Sequence, residues 1–214
     1  MQLPIADRLA TLLDSLLDHI RRLATWCAWA GGAILFAASL LITVEVLIRK
    51  LLDLSMAGAD ELSSYGFAIV CTFAFGYAML DRGHIRVDTA YAYLGRRTQA
   101  LLDVAAALLL LVFFALLLKH GLAVVEATWR MDAHSNTPLH VALIFPQFFW
   151  WLGLCLTFVI TMLLLARALL YLLAGNLDAS RRLIGSQEME EEIATELQFI
   201  EAARAEQDNV SARR

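Results

Sequence analysis

The chain has 214 residues, of which 60% are apolar, and 17 basic against 21 acidic residues give a formal net charge of −4. Soluble domains are about 45–50% apolar, so this composition argues against a water-soluble fold. The charged residues cluster between four apolar runs, at about 23–48, 62–80, 99–125 and 146–174. A hydrocarbon core of about 30 Å needs about 20 helical residues, and the runs lack the alternation of barrel strands. They predict an all-α integral membrane protein with four transmembrane helices.

Residues 1–22 predict a separate amphipathic helix before the first span. Between Ile5 and Ile20, leucines recur at helical spacing, and aspartates and Arg8 lie on the opposite face. This pattern is typical of a helix that lies on the membrane surface, although packing against the bundle is an equally ordinary interpretation. The first apolar run exceeds the core of a secretory signal, about 7–15 residues, so we expect it to be a retained span.

Ionisable residues stand at the ends of the first two spans. Glu45 and Arg49 are four residues apart, so their side chains share a helix face in the orientation that favours an ion pair. The pair could be local, or it could contact another helix or subunit, because ionisable groups are costly in membrane helices. Asp60 and Glu61 open the second span, where the helix N-terminus favours carboxylates. That effect accounts for one acid more readily than for two.

Small residues recur every four positions on the first two spans. Such stripes let two membrane helices approach closely where lipid offers no hydrophobic drive. We therefore expect them to be packing surfaces. The stripes are Ala24, Ala28 and Gly32 in the first span, and Ser64, Ala68, Thr72 and Gly76 in the second.

The second span ends at Leu80 and is followed by an unusually polar stretch. Gly83 supplies the left-handed position that often ends a helix, so composition alone predicts a helix exit. It does not explain why both His84 and Asp88 are present. The stretch reads DRGHIRVD and contains Arg82, Gly83, His84 and Asp88.

The last two spans carry polar and aromatic residues near their outer ends. Lys119 and His120 interrupt the third span, where they could face water, a partner or lipid headgroups. Trp150 and Trp151 open the fourth span and favour an interfacial aromatic belt.

The distribution of Lys and Arg predicts the orientation. Ten of these residues flank the membrane on the side of the termini, and four flank it on the other side. Because cytoplasmic loops carry the excess of positive charge, we expect both termini in the cytoplasm. The tail, residues 176–214, has nine acids and five arginines, a net −4, and is expected to be an acidic, partly helical segment. The four spans form the membrane domain, residues 23–175, between the amphipathic helix and this tail.

Three motifs together resemble a known family. They are EVLIR from Glu45 to Arg49, ADELSSYGF from Ala59 to Phe67, and FAFGYAMLDRGHIRVD from Phe73 to Asp88, followed later by Thr137-Pro138 before the fourth span. In order and spacing they resemble the small membrane subunit, the Q-type or DctQ-like subunit, of tripartite ATP-independent periplasmic (TRAP) transporters. The resemblance covers about residues 20–175.

The resemblance implies a non-enzymatic scaffold subunit in the bacterial inner membrane. Its expected partners are a large permease subunit, a periplasmic binding protein that delivers an organic acid, and membrane lipids, with no nucleic acid. A sodium gradient would drive this symport in a heteromeric complex, and the large partner would hold sodium and substrate, so no cofactor is expected here. The positions carried over as structural or subunit-interface candidates are Glu45, Arg49, Glu61, Arg82, Gly83, His84 and Asp88.

Two other function classes remain as alternatives. A membrane anchor or redox subunit that binds haem would need histidines that face one another across the bundle. His120 is the one histidine within a predicted span. A membrane enzyme with His84 as a base would need a partnered nucleophile or a metal cluster, and the sequence offers neither pattern.

Overall fold

The computed structural model describes residues 4–81 and 94–176, together with residues 179, 183 and 184. These residues contain four helices, α1 (Pro4–Leu52), α2 (Ala59–Leu80), α3 (Arg96–Met131) and α4 (Ile144–Leu173). Each is long and apolar enough to cross a membrane, which confirms the predicted all-α fold with four spans. The described loops hold one isolated antiparallel bridge, between His134 and Ala142.

Helix α1 joins the amphipathic segment and the first span. It has 49 residues, so at 1.5 Å per residue it is about 70 Å long, more than twice the hydrocarbon thickness of about 30 Å. No glycine or proline stands between Pro4 and Gly31, so nothing in the backbone interrupts the helix at the expected boundary after residue 22. Helix α3 likewise continues past the predicted end of its span. The loops between α1 and α2 and between α3 and α4 are residues 53–58 and 132–143. We call the end of the bundle that carries these two loops the outer end and the opposite end the inner end.

Helix α4 is the centre of the bundle. It packs against both α2 and α3, and α2 packs against α1 in turn. Of the most apolar 18-residue window in each helix, 44% is buried in α4, against 11% in α1 and 17% in α2 and α3. The outward faces of α1 and α3 are correspondingly apolar and exposed, with Trp29 at 77% and Leu109 at 70%. These faces are suited to lipid or to another subunit.

Small residues allow α2 and α4 to touch closely. The Thr157 hydroxyl lies 3.0 Å from the Thr72 carbonyl oxygen and 3.1 Å from the Gly153 carbonyl oxygen. A Cβ atom on Gly153 would lie 2.3 Å from Thr72 Oγ1, and one on Gly76 would lie 2.9 Å from Ile160 Cδ1. The inner half of the predicted stripe on α2 is therefore a packing surface, as expected.

The two stripes are used only in part. Ser64 and Ala68, the outer half of the α2 stripe, are exposed in the chain by itself. On α1, Ala24 is fully buried, but Gly32 has nothing within 4 Å of a Cβ. Its neighbour Gly31 meets Val70 of α2 instead, with 2.9 Å between a Gly31 Cβ and Val70 Cγ1. The expected role of Gly32 is thus wrong by one position, about 100° around the helix.

Helices α3 and α4 meet through polar as well as apolar contacts. Trp151 Nε1 donates a hydrogen bond to the Leu118 carbonyl oxygen at 3.1 Å, and Gly121 lies against the rings of Trp150 and Trp151. The two tryptophans therefore pack between helices. Lys119 and His120, next to these contacts, are exposed.

Candidate functional site

Glu45 is the most enclosed ionisable residue at the outer end of the bundle. It is 2% exposed, and both of its carboxylate oxygens accept hydrogen bonds. Arg49 donates to Oε1 from Nε at 3.2 Å and from a terminal guanidinium nitrogen at 2.6 Å, so the ion pair expected from the spacing is present. The Ser55 hydroxyl donates to Oε1 at 2.8 Å, and the Met56 backbone N–H donates to Oε2 at 2.8 Å. A buried carboxylate is tolerated only when it is paired in this way.

The Glu45 cluster fastens the α1–α2 loop to α1. Asp53 and Ala57 adopt positive φ angles of 53° and 52°, in the left-handed region that non-glycine residues seldom occupy. The Ser55 hydroxyl, held by Glu45, also accepts a hydrogen bond from the Ala57 backbone N–H at 3.2 Å. The carboxylate therefore stabilises a loop whose backbone is strained. Ser55 and Met56 were not predicted, because their contact with Glu45 depends on how the loop closes.

Glu61 fastens the second outer loop to α2. It accepts hydrogen bonds from the Tyr65 hydroxyl at 2.6 Å and from the Thr137 hydroxyl. Thr137 Oγ1 in turn lies 2.7 Å from Ser135 Oγ. Leu139 of the same loop packs on Gly58, where a Cβ would lie 2.2 Å from Leu139 Cδ1. Residues 132–143 therefore rest on the first turn of α2.

The neighbouring acids of α2 have different surroundings. Glu61 is turned to the α3–α4 loop, whereas Asp60 is exposed and lines a recess between α1 and α2. The helix N-cap is Gly58, and no side chain caps it. The pair thus does not act as a double cap: one acid holds a loop and the other faces outward.

At the inner end, an ion pair that was not predicted joins α1 to α4. Arg167 donates from Nε and from a terminal nitrogen to the two carboxylate oxygens of Asp14, at 2.7 and 2.8 Å. The guanidinium also stacks over the Tyr171 ring at 4.2 Å. Arg21 donates to the Leu80 carbonyl oxygen at 3.3 Å. These contacts, with Leu17 and Ile20 against the inner core, show that the N-terminal part of α1 packs on the bundle.

Four predicted positions, Arg82, Gly83, His84 and Asp88, lie outside the described residues. The described part of the chain brings together Glu45 with Arg49, whereas Glu61, on the first turn of α2, binds a different loop, so these candidates do not converge on one cavity. No group of three or more His, Cys, Asp or Glu side chains within the described residues could hold a metal ion. His134 and His140 share the α3–α4 loop, with ring centroids 4.9 Å apart. This placement does not supply the facing ligands that haem requires.

The fold and the contacts of Glu45 and Glu61 define a class: a multi-pass α-helical membrane protein whose carboxylates at one end hold its own loops. Residues 38–174, more than half of the chain, match the family described as tripartite ATP-independent periplasmic transporters, DctQ component. The chain belongs to this family, and it is therefore a small TRAP transporter component. A comparison with curated proteins gave no match. The family is one of transporter components and not of enzymes.

Proposed function

We propose that the chain is the small scaffold subunit of a sodium-gradient-driven TRAP transporter in the bacterial inner membrane. A large permease subunit would bind sodium and the substrate, an organic acid delivered by a periplasmic binding protein. The match of residues 38–174 to the family carries this proposal. The arrangement of the charged groups supports it.

The placement of the carboxylates favours a structural role over a transport site. A transport site needs polar groups that converge on a cavity at membrane depth. Here the carboxylates of Glu45 and Glu61 accept hydrogen bonds from the loops that they hold. Helix α4, the central helix, buries mainly apolar side chains, and its buried Thr157 and Thr161 hydroxyls both donate hydrogen bonds to backbone carbonyl oxygens. A rigid wall of helices is what a scaffold requires.

Exposed apolar surface on α1 and α3 supports a heteromeric assembly. Side chains such as Trp26, Phe36 and Leu109 are 76%, 68% and 70% exposed. Lipid can cover the part of this surface on α3, and a large permease can cover the part on α1 that adjoins α2. The complex would thereby gain a wider membrane domain, against which the moving parts of the large subunit can work.

Co-expression tests the proposal. A tagged chain produced with the large permease of the same transporter should purify as a stable complex, with its partner in fixed ratio. The tagged chain reconstituted alone, with a sodium gradient and the binding protein present, should take up no organic acid. Uptake by the chain alone, or purification free of the permease under mild detergent, would contradict a scaffold role.

A further inference from the structure

Between the outer halves of α1 and α2 there is an open recess of about 530 Å³. A smaller recess of about 200 Å³ lies on the other side of the same seam, and Ala38 and Ser63 line both. The larger recess has the more polar lining of the two. Its lining includes Ser39, Thr43, Asp60, Ser63 and Ser64.

Three hydroxyl groups at this recess differ in how they are satisfied. Thr43 donates to the Ser39 carbonyl oxygen at 2.8 Å, and Ser64 donates to the Asp60 carbonyl oxygen at 2.7 Å. Ser63 is 7% exposed, and its Oγ has no hydrogen-bond partner among the described residues. A buried hydroxyl without a hydrogen-bond partner is energetically unfavourable. Rotation about χ1 would present it to a group seated in the recess.

The small-residue stripe of α2 reaches this recess at its outermost member, Ser64. Its inner half, Thr72 and Gly76, is occupied by α4. Its outer half, Ser64 and Ala68, is exposed. The stripe that admits one helix so closely thus continues outward to residues that no other described part of the chain covers.

The charge around the recess selects the occupant. The outer ends of α1 and α2 carry four carboxylates and two cations, Glu45, Asp53, Asp60 and Glu61 against Arg49 and Lys50. Arg49 is bound to Glu45 and also attracts Asp60 electrostatically, so these two carboxylates and one cation leave a net negative charge at the mouth of the recess. A second copy related by a twofold axis along the membrane normal would bring two Asp60 side chains to the same level, and like charges repel. Acyl chains offer no hydrogen bond to Ser63.

We propose that this recess is the docking site for one membrane-spanning helix of the large permease subunit. The helix would present a Lys or Arg near Asp60, and small residues with a hydrogen-bonding group opposite Ser63 and Ser64. Small residues and interhelical hydrogen bonds are what hold membrane helices together. This inference rests on the proposed function, because it names the face that the partner covers.

Photo-crosslinking in the co-expressed complex tests the inference. A benzophenone amino acid replaces Ser64, and in the matched control it replaces Ala115, an exposed small residue on α3. We expect irradiation to yield an adduct with the large permease from position 64, at least fivefold above that from position 115. Equal adducts from both positions, an adduct with the mass of two copies of this chain, or lipid adducts alone would overturn the proposed docking site.

Substitutions that add bulk or reverse a charge at the recess provide a second test. Ser64→Trp fills the recess, so the yield of co-purified permease should fall at least fivefold, while Ala115→Trp leaves it unchanged. Asp60→Lys should lower the yield as well. The melting temperature of each variant alone identifies any loss through misfolding. If the unsubstituted chain does not co-purify, the proposed function fails and this inference with it; co-purification that Ser64→Trp leaves intact overturns only the recess.

Discussion

At the outer end of the bundle, Glu45 is 2% exposed and accepts two hydrogen bonds from Arg49 of its own helix. It holds the α1–α2 loop through two more, from Ser55 and Met56. At the inner end, Asp14 is 53% exposed and is bound by the guanidinium group of Arg167. Water can replace Arg167 as the partner of Asp14, whereas no water can reach Glu45 without opening the loop. We therefore expect the carboxylate–arginine pair at the outer end to contribute more to the stability of the fold than the pair at the inner end.

Substitution of Glu45 should have the largest effect. In Glu45→Gln the side-chain amide would face groups that all donate, namely Arg49, Ser55 and the Met56 N–H. We expect a loss of about 2 kcal/mol, which lowers the melting temperature by about 4–8 °C for a chain of this size. Thermal unfolding in detergent, followed by size-exclusion chromatography, measures this shift.

Glu126→Gln is the matched control for Glu45→Gln. Glu126 forms the same i,i+4 pair with Arg130 at 3.0 Å, but the two side chains are 52% and 74% exposed. Exposed pairs of this kind contribute about 0.3–0.5 kcal/mol, so a shift below about 2 °C is expected. Equal shifts in both variants would show that enclosure by the loop is not what matters.

Gly58→Ala should have the next largest effect, through sterics alone. The added Cβ would overlap Leu139, at 2.2 Å from Cδ1, and push the α3–α4 loop from α2. Overpacking of this kind costs about 1–3 kcal/mol. The double variant Gly58→Ala/Leu139→Ala should recover most of the lost melting temperature. Gly95→Ala is the control, since nothing lies within 4 Å of a Cβ there; a double variant no better than Gly58→Ala would contradict the proposed contact.

The inner ion pair should give the smallest effect of the three. Asp14→Asn removes one charge, but Arg167 keeps its stacking on Tyr171 at 4.2 Å. We expect about 0.5–1 kcal/mol, because one partner is half exposed, and the loss should shrink as salt screens the pair. Melting curves at 50 mM and 500 mM NaCl measure this. A loss as large as that of Glu45→Gln at both salt concentrations would remove the contrast between the ends.

Elements of the fold that depend on local pattern could be predicted from the sequence. The four spans follow from uninterrupted apolar runs, and the Glu45–Arg49 pair follows from its four-residue spacing. The continuity of α1 was missed because the change from an amphipathic to an apolar face leaves helix propensity unchanged. The use of Gly31 in place of Gly32 depends on the rotation of α1 about its axis, which composition does not determine.

Contacts between distant residues could not be predicted from one sequence. Asp14 and Arg167 are 153 positions apart, and Glu61 and Thr137 are 76 apart. Each contact depends on which helices become neighbours and at what height. The sequence did indicate that a helix N-terminus accounts for only one of the two acids, Asp60 and Glu61. The structure places that second acid at the recess between α1 and α2.

Sodium-driven uptake per large subunit tests the central claim most directly. Vesicles that contain the large permease and the binding protein should transport the organic acid at least tenfold faster with this chain than without it. Glu45→Gln should lie between these rates, with substrate binding by the binding protein unchanged. Equal uptake with and without the chain would contradict the scaffold account.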